Sequence, residues 1–322
     1  MNNNLYLPNQ PEYTRSFVNY IGGQEGCDGE LSAGRNLSGG YILPTHESNK
    51  FTEALKKESL FRTIGTYMYS HNGPSKIIAK HSVATASWVP DGGEIPAYDG
   101  ILDFTEFSME DHKLATVLKL DDSFMHDYPY IFTDYFIGRM ARSFGSAEND
   151  GFINGTGEDM PTGILSENGA EVGVTTDEIT FDDMIRLFFS VDKKYRKNAT
   201  WLMNDETALT LRLLKDDNGN SLWDHTDDTI FGKPVRIVNE MPSAAPGAKP
   251  VAFGDFSFYW IVEREPFSVR VLKEKFLPTG QIGYLGYEFL DGKLIRPDAV
   301  KVLSVGQSVG IGAGMTEEDD ES

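Results

Sequence analysis

The chain has 322 residues, 40% of them hydrophobic and 12% aromatic, which is enough apolar material for one large or two ordinary packed cores. Acidic residues outnumber basic ones 49 to 29, a formal charge of -20 that argues against a surface built to neutralise phosphates, and so against tight nucleic-acid binding. A single cysteine, Cys27, excludes an intrachain disulfide, and no apolar run approaches the roughly 20 residues needed to span a bilayer.

The start, "MNNNLYLPNQ", lacks the basic and apolar blocks of a signal peptide, so the chain reads as cytosolic. Residues 1–38 are rich in Gly, Asn and Ser, and "GGQEGCDGELSAGRNLSGG" offers too few apolar residues to offset the entropy of ordering. They read as an arm or leader, with Cys27 a free thiol in a mobile region. Phe51, Leu55 and Leu60 follow at near-helical spacing. "SKIIAKHSV" and "ILDFTEFSM" read as strands flanking the Gly/Pro-rich "PDGGEIPAYDG", where Trp88 has little local core. In "HKLATVLKL", Leu114, Thr116, Leu118 and Leu120 alternate with Lys113, Ala115, Val117 and Lys119, which predicts a strand with one face on a core.

A long helix is predicted from about Tyr130 to Ile153, roughly 35 Å at 1.5 Å per residue. Phe132, Phe136, Met140 and Phe144 recur every four residues along it. It ends in "ENDGFINGTGEDMPTGIL", where Gly155 and Gly157 read as left-handed C-terminal caps before an exposed turn at Met160-Pro161. Beyond it, Thr180 three residues before Asp183 resembles a capping box, and Asn204 suits a helix N-cap. "TWLM", "PVRIV", "PVAFG", "FYWIVE" and "FSVRVL" read as short strands, and "YLGYEFLDGKLI" as a hairpin turning at Asp291-Gly292. The class is α+β.

Patterns that could carry chemistry fail on their own terms. "GQSVG" at 306–310 fits a nucleophile elbow, but twelve residues remain after it and none is histidine, which leaves a hydrolase using Ser308 as a weak rival. "DDNGNSLWDHTD" has Ser221 where a calcium loop needs glycine, and Asp227 where it needs glutamate. The six histidines show no metal-ligand spacing. The glycine cluster follows a helix instead of preceding one, so it is not a phosphate loop. No catalytic residue, cofactor or metal site is expected. The acidic "TEEDDES" at 316–322 is a solvated tail.

In order, "GFINGTGEDMPTGIL", "TFDDMIRLFFSVDKKYRKNATWLMNDETALTLRLLKDDNGNSLW", "FGKPVRIVNEMP", "VAFGDFSFYWIVER" and "GYEFLDGKLIRPDAVKVL" closely resemble the major capsid proteins of tailed bacteriophages with the HK97-type fold, over residues 39–305. The resemblance implies an N-terminal arm or leader at 1–38 and a peripheral domain at 39–70 and 105–175, with its spine helix at about 130–154. It also implies an extended β-hairpin loop at 71–104, an axial domain at 176–265, peripheral return strands at 266–305 and a flexible acidic tail at 306–322. Phe132, Phe136, Met140 and Phe144 would pack the spine helix, Gly155 and Gly157 would stop it, and Trp88, Ile95 and Pro96 would make intersubunit contacts from the extended loop.

The function so implied is self-assembly through pentamers and hexamers into an icosahedral head. The head would enclose double-stranded DNA without sequence-specific binding. Scaffolding, portal and decoration proteins would be further partners, no membrane would be involved, and the place would be the virion, assembled in the host bacterial cytoplasm. An encapsulin-like compartment housing a cargo protein is the alternative of the same fold. Some family members cross-link a lysine just before the loop's proline to an asparagine of the peripheral domain. Here Ile95 precedes Pro96 and "KEKFLPTGQ" has no asparagine, so cross-linking is not expected.

Overall fold

The computed structural model describes residues 5–24, 26–36, 38–70, 76–80, 88–91, 94, 104–121, 129–215, 218–219, 223–224 and 228–306. It divides into two compact units, residues 1–170 with 255–299, and residues 171–254 with 300–322.

The first unit is built on two 14-residue antiparallel strands, β12 (Tyr259–Leu272) and β13 (Gln281–Leu294). On one side β13 pairs with β5 (His112–Asp121); on the other β12 pairs with β1 (Tyr41–Ile42) and, in parallel, with β2 (Thr66–Tyr69). Along β5 the even-numbered residues are more buried than their odd neighbours, the alternation its sequence predicts. "FYWIVE" and "FSVRVL" are one strand, not two. The register against β13 shifts between Glu263 and Ser268, and this irregularity accommodates Pro266, which has no N–H to give the ladder. Nor does the chain turn at Asp291-Gly292. Both residues pair with β12, opposite Val262 and Ile261, and the Asp291 carboxylate accepts from the backbone N–H of Glu110 at 2.8 Å. That side-chain anchor gives the Asp-Gly pair a role inside a strand.

Across this sheet lies the long helix α4 (Pro129–Asn154). Its Phe132, Phe136, Met140 and Phe144 are all buried, as are Ile137 and Ala141, so the four-residue spacing marks the stripe that meets the core. Phe51 of α2 (Thr45–Glu58) stacks on Phe267 of β12 at 4.1 Å and meets Phe144 edge-on at 6.2 Å. The Asn149 side chain donates to Glu58 O at 3.0 Å and accepts from Leu60 N at 2.9 Å, which satisfies backbone groups between α2 and the short α3 (Phe61–Ile64).

The helix stops at Asn154 by two different means. Gly157 has φ +87°, the left-handed region that favours glycine. Gly155 is not left-handed, contrary to its expected cap role. A Cβ there would lie 2.0 Å from Pro161 O and 2.3 Å from Gly151 O, so glycine is needed because the returning chain crosses against the helix end.

Residues 1–38 require a larger correction. Pro11–Ile21 form a helix, α1, whose Tyr13, Phe17 and Ile21 are buried in the same core cluster as Phe132, Phe136 and Tyr284. Composition over residues 22–40 conceals this, because the apolar residues lie upstream of them at four-residue intervals. The Tyr284 hydroxyl donates to Ile21 O at 3.0 Å, and Val271 N donates to the Tyr20 hydroxyl at 3.0 Å. Cys27 is buried in this cluster too, instead of sitting in a mobile region.

The second unit carries a sheet in the order β6-β14-β11-β7-β10-β9-β8. These strands are Glu171–Thr176, Val300–Val305, Val251–Gly254, Thr200–Met203, Lys233–Ile237, Thr229–Ile230 and Trp223–Asp224. Its last strand in sequence, β14, completes this sheet between β6 and β11. Residues 300–305 therefore do not return to the first unit, while residues 255–265 belong to the first unit and not to the second. Its helices are α5 (Phe181–Ser190), α6 (Lys193–Arg196) and α7 (Asp205–Leu213). The Thr180–Asp183 capping box is formed, and Asn204 caps α7 by accepting from Thr207 N at 2.8 Å. Trp201 is buried, stacks on Phe253 at 4.0 Å and donates through Nε1 to Ile230 O at 3.1 Å.

Between β2 and β5, strands β3 (Lys76–Lys80) and β4 (Phe104–Ser108) pair antiparallel as a separate two-stranded sheet. β3 lies inside the stretch expected to be the extended loop, 71–104, and β4 begins at its end.

Candidate functional site

Three features stand out: a buried ionic centre, the loop stretch between β3 and β4, and a charged cleft beside α1. The ionic centre lies inside the first unit, where α3, α4, β12 and β13 meet. Arg62 on α3 grips Glu148 of α4 from two nitrogens, at 2.9 and 3.0 Å from Nε and 2.5 Å from Nη2. Its guanidinium also lies 3.4 Å from Glu288 and 3.8 Å from Glu263, and 4.8 Å from the centre of the Tyr67 ring.

All four charged side chains are buried, so three carboxylates share one cation in a poorly solvated place. Burial alone would push the Arg62 guanidinium down, but Glu148, Glu288 and Glu263 outweigh that and hold it above its usual range. Burial pushes the Glu263 carboxyl up to about 7, against the opposing pull of Arg62. Burial also drives Glu288 well above the usual 4.5, with Glu148 and Glu263 adding to the rise.

A pH dependence follows. A carboxyl raised from 4.5 to about 7 contributes stability that is whole below 4.5 and is lost as pH rises through about 7, because the unfolded chain releases its proton first. In Glu263→Gln this loss cannot occur. Its melting temperature relative to the parent chain is expected to climb between pH 4.5 and 7, as measured by calorimetry; a pH-independent difference would refute the assignment.

Sequence reasoning missed all four residues. The available signal was a glutamate in the middle of an apolar strand, in "YWIVE" and again in "GYEFL".

Of the loop residues, Trp88 is fully exposed, with Asp91 and Glu94 exposed beside it. Ile95 and Pro96 lie outside the described residues, as do Ser308 and the acidic tail. The charged cleft, about 930 Å³, lies between the α1 end of the chain and the end of β12, and Tyr20, Tyr41 and several basic side chains line it. Gly155, Gly157 and the four spine residues serve the interior of the first unit and bring no chemistry together. Among the described residues no group of His, Cys, Asp and Glu could hold a metal ion, and no helix is long and apolar enough to cross a membrane.

Comparison with known proteins agrees with this architecture. The phage capsid family matches residues 39–305. The probable major capsid protein gp17 of Mycobacterium phage L5 is 24% identical over 216 residues, which span 63% of this chain and 64% of that relative's length. Among solved structures, the "Capsid of empty GTA particle computed with C5 symmetry" superposes with a TM-score of 0.65 at 24% identity, covering 77% of this chain and 90% of that one. A chain from Microbacterium phage Oxtober96 does so with a TM-score of 0.57 at 16% identity, covering 76% and 90%. With a long helix laid across a long-stranded sheet, a second unit made of residues 171–254 and 300–322, and a family match over most of its length, this chain belongs to the phage capsid family and has the HK97-type capsid fold.

Proposed function

We propose that this chain is the major capsid protein of a tailed-phage head. Copies of it join as pentamers and hexamers into an icosahedral shell around double-stranded DNA. The observation that carries this reading is the family match over residues 39–305. The fold it shares with a capsid described with fivefold symmetry supports it further.

In this reading the first unit is the peripheral domain with its spine helix, and the second is the axial domain near the capsomer's symmetry axis. Residues 71–104 are the extended loop, and Trp88, Ile95 and Pro96 lie against a neighbouring copy. A fully exposed indole is costly to leave in water, and a neighbour's surface relieves that cost. Free energy of assembly comes from many modest contacts repeated by symmetry. The charge of -20 suits a container that must not adhere to its contents, so DNA is enclosed without sequence-specific binding. Scaffolding, portal and decoration proteins are the further partners. The site of action is the virion, built in the bacterial cytoplasm.

The test is assembly. Purified chain should sediment as large particles, and Trp88→Ala should lower particle yield while leaving the circular dichroism of the subunit unchanged. Full assembly by the variant would remove the loop from the interface.

A further inference from the structure

The buried ionic centre holds more acid than its one cation can pair. An ion pair between α3 and α4 needs a single carboxylate, and Glu148 supplies it, accepting from two nitrogens of Arg62. Glu263 of β12 and Glu288 of β13 are surplus, and a buried carboxylate without a cation of its own is costly. The Glu288 carboxyl lies within hydrogen-bonding reach of the Glu148 carboxyl, and two carboxyls share a hydrogen bond only when one of them carries a proton. Glu288 Oε1 is buried, and no N–H or hydroxyl among the described residues donates to it, which suits an oxygen that carries the hydrogen itself.

The neighbouring charges are engaged elsewhere. His112 of β5 lies 3.5 Å from Asp291 of β13, and Arg264 of β12 pairs with Asp111. Lys113 sits 4.8 Å from the centre of the Tyr287 ring, and Arg142 of α4 lies 3.8 Å from Glu58 of α2. The Tyr67 ring of β2 covers the guanidinium itself. Glu148 also lines a cavity of about 260 Å³ at the end of α4, together with the exposed Asp150 and Asp159, so it stands between Glu288 and solvent. The β12–β13 register is irregular from Glu263 to Ser268, so the sheet is least regular where this centre joins it.

We propose that the centre is a proton-operated latch between the spine helix and the sheet. With a proton on Glu288, its carboxyl donates to Glu148 and ties α4 to β13. When that proton passes to Glu148 and leaves through the cavity, Arg62 alone faces three carboxylates and the tie opens. Burial, opposed by Arg62, holds the Glu288 carboxyl well above its usual range, so the latch is shut on the acid side and opens as pH rises beyond neutral. Glu263, held up to about 7, loses its proton over the same rise and adds to the repulsion. The latch needs one subunit only, so it does not rest on the capsid reading.

The experiment is hydrogen–deuterium exchange of the full chain at pH 6 and pH 9, with rates corrected for the intrinsic effect of pH. Protection of α4 around Glu148 should fall at least about tenfold at the higher pH, the factor that one pK unit of linkage supplies, while α7 in the second unit keeps its protection. Glu288→Gln, whose amide donates to Glu148 at either pH, should keep α4 protected at pH 9. Infrared spectra at pH 7 should show a protonated-carboxyl band that persists in Glu263→Gln and disappears when Glu288→Gln is added. Equal protection of α4 at both pH values, a loss shared by α7, a Glu288→Gln chain that loosens like its parent, or no such band in Glu263→Gln overturns the proposal. If Glu288→Gln does not fold, the parent's exchange and the Glu263→Gln spectrum still decide.

Discussion

Replacing Arg62 with methionine is expected to destabilise the first unit by about 3–5 kcal/mol at pH 8, because it leaves three buried carboxylates with no cation. Methionine fills a similar volume, so the loss reports charge and not a cavity. The effect should shrink toward pH 5. Glu263 and Glu288 are already held above their usual range with Arg62 present, and without it they take up protons more readily still, so neutralising them restores much of what the guanidinium supplied. Urea unfolding at the two pH values measures both parts of the claim. Adding Glu148→Gln to Arg62→Met should recover part of the loss, since the tightest of the three partners no longer carries a charge. A loss under about 1 kcal/mol at pH 8 would mean that the centre is better solvated than its burial implies.

Tyr13→Ala should be as damaging, at about 3–5 kcal/mol, the range for truncating a large buried aromatic. Tyr13 is fully buried, stacks on Phe17 with ring centres 6.4 Å apart and donates its hydroxyl to Ile42 O at 2.8 Å. The substitution therefore removes core contacts and strands a carbonyl between α1 and β1. A detachable arm would lose nothing measurable. Denaturant midpoints of the two chains decide between an integral helix and an appendage, and equal midpoints would return residues 11–21 to the status of an arm.

These two residues mark where the sequence was legible and where it was not. The spine helix could be read because Phe132, Phe136, Met140 and Phe144 repeat within 13 residues, and local periodicity is all that such a reading needs. The same holds for β5 and for the caps at Thr180 and Asn204, whose partners lie within three residues. Helix α1 carried the same signal at Tyr13, Phe17 and Ile21, but the glycine-rich composition downstream hid it. "FYWIVE" and "FSVRVL" read as two short strands, whereas an irregular register lets β12 continue past Pro266 between them. The ionic centre had no local signature at all. Arg62 and Glu148 are 86 residues apart and Arg62 and Glu288 are 226 apart, so only the packing of α3 and α4 against the sheet joins them. Trp88 showed the opposite case. Its lack of local core was visible in the sequence, and in the folded chain it is fully exposed.

Cryo-electron microscopy of particles formed by the purified chain tests the central claim most directly, that this subunit is completed by copies of itself. The account predicts a closed shell of fivefold and sixfold capsomers in which density for the stretch between β3 and β4 lies on a neighbouring subunit and covers Trp88. A map in which that stretch folds onto its own subunit, with no repeated neighbour against it, would contradict the account.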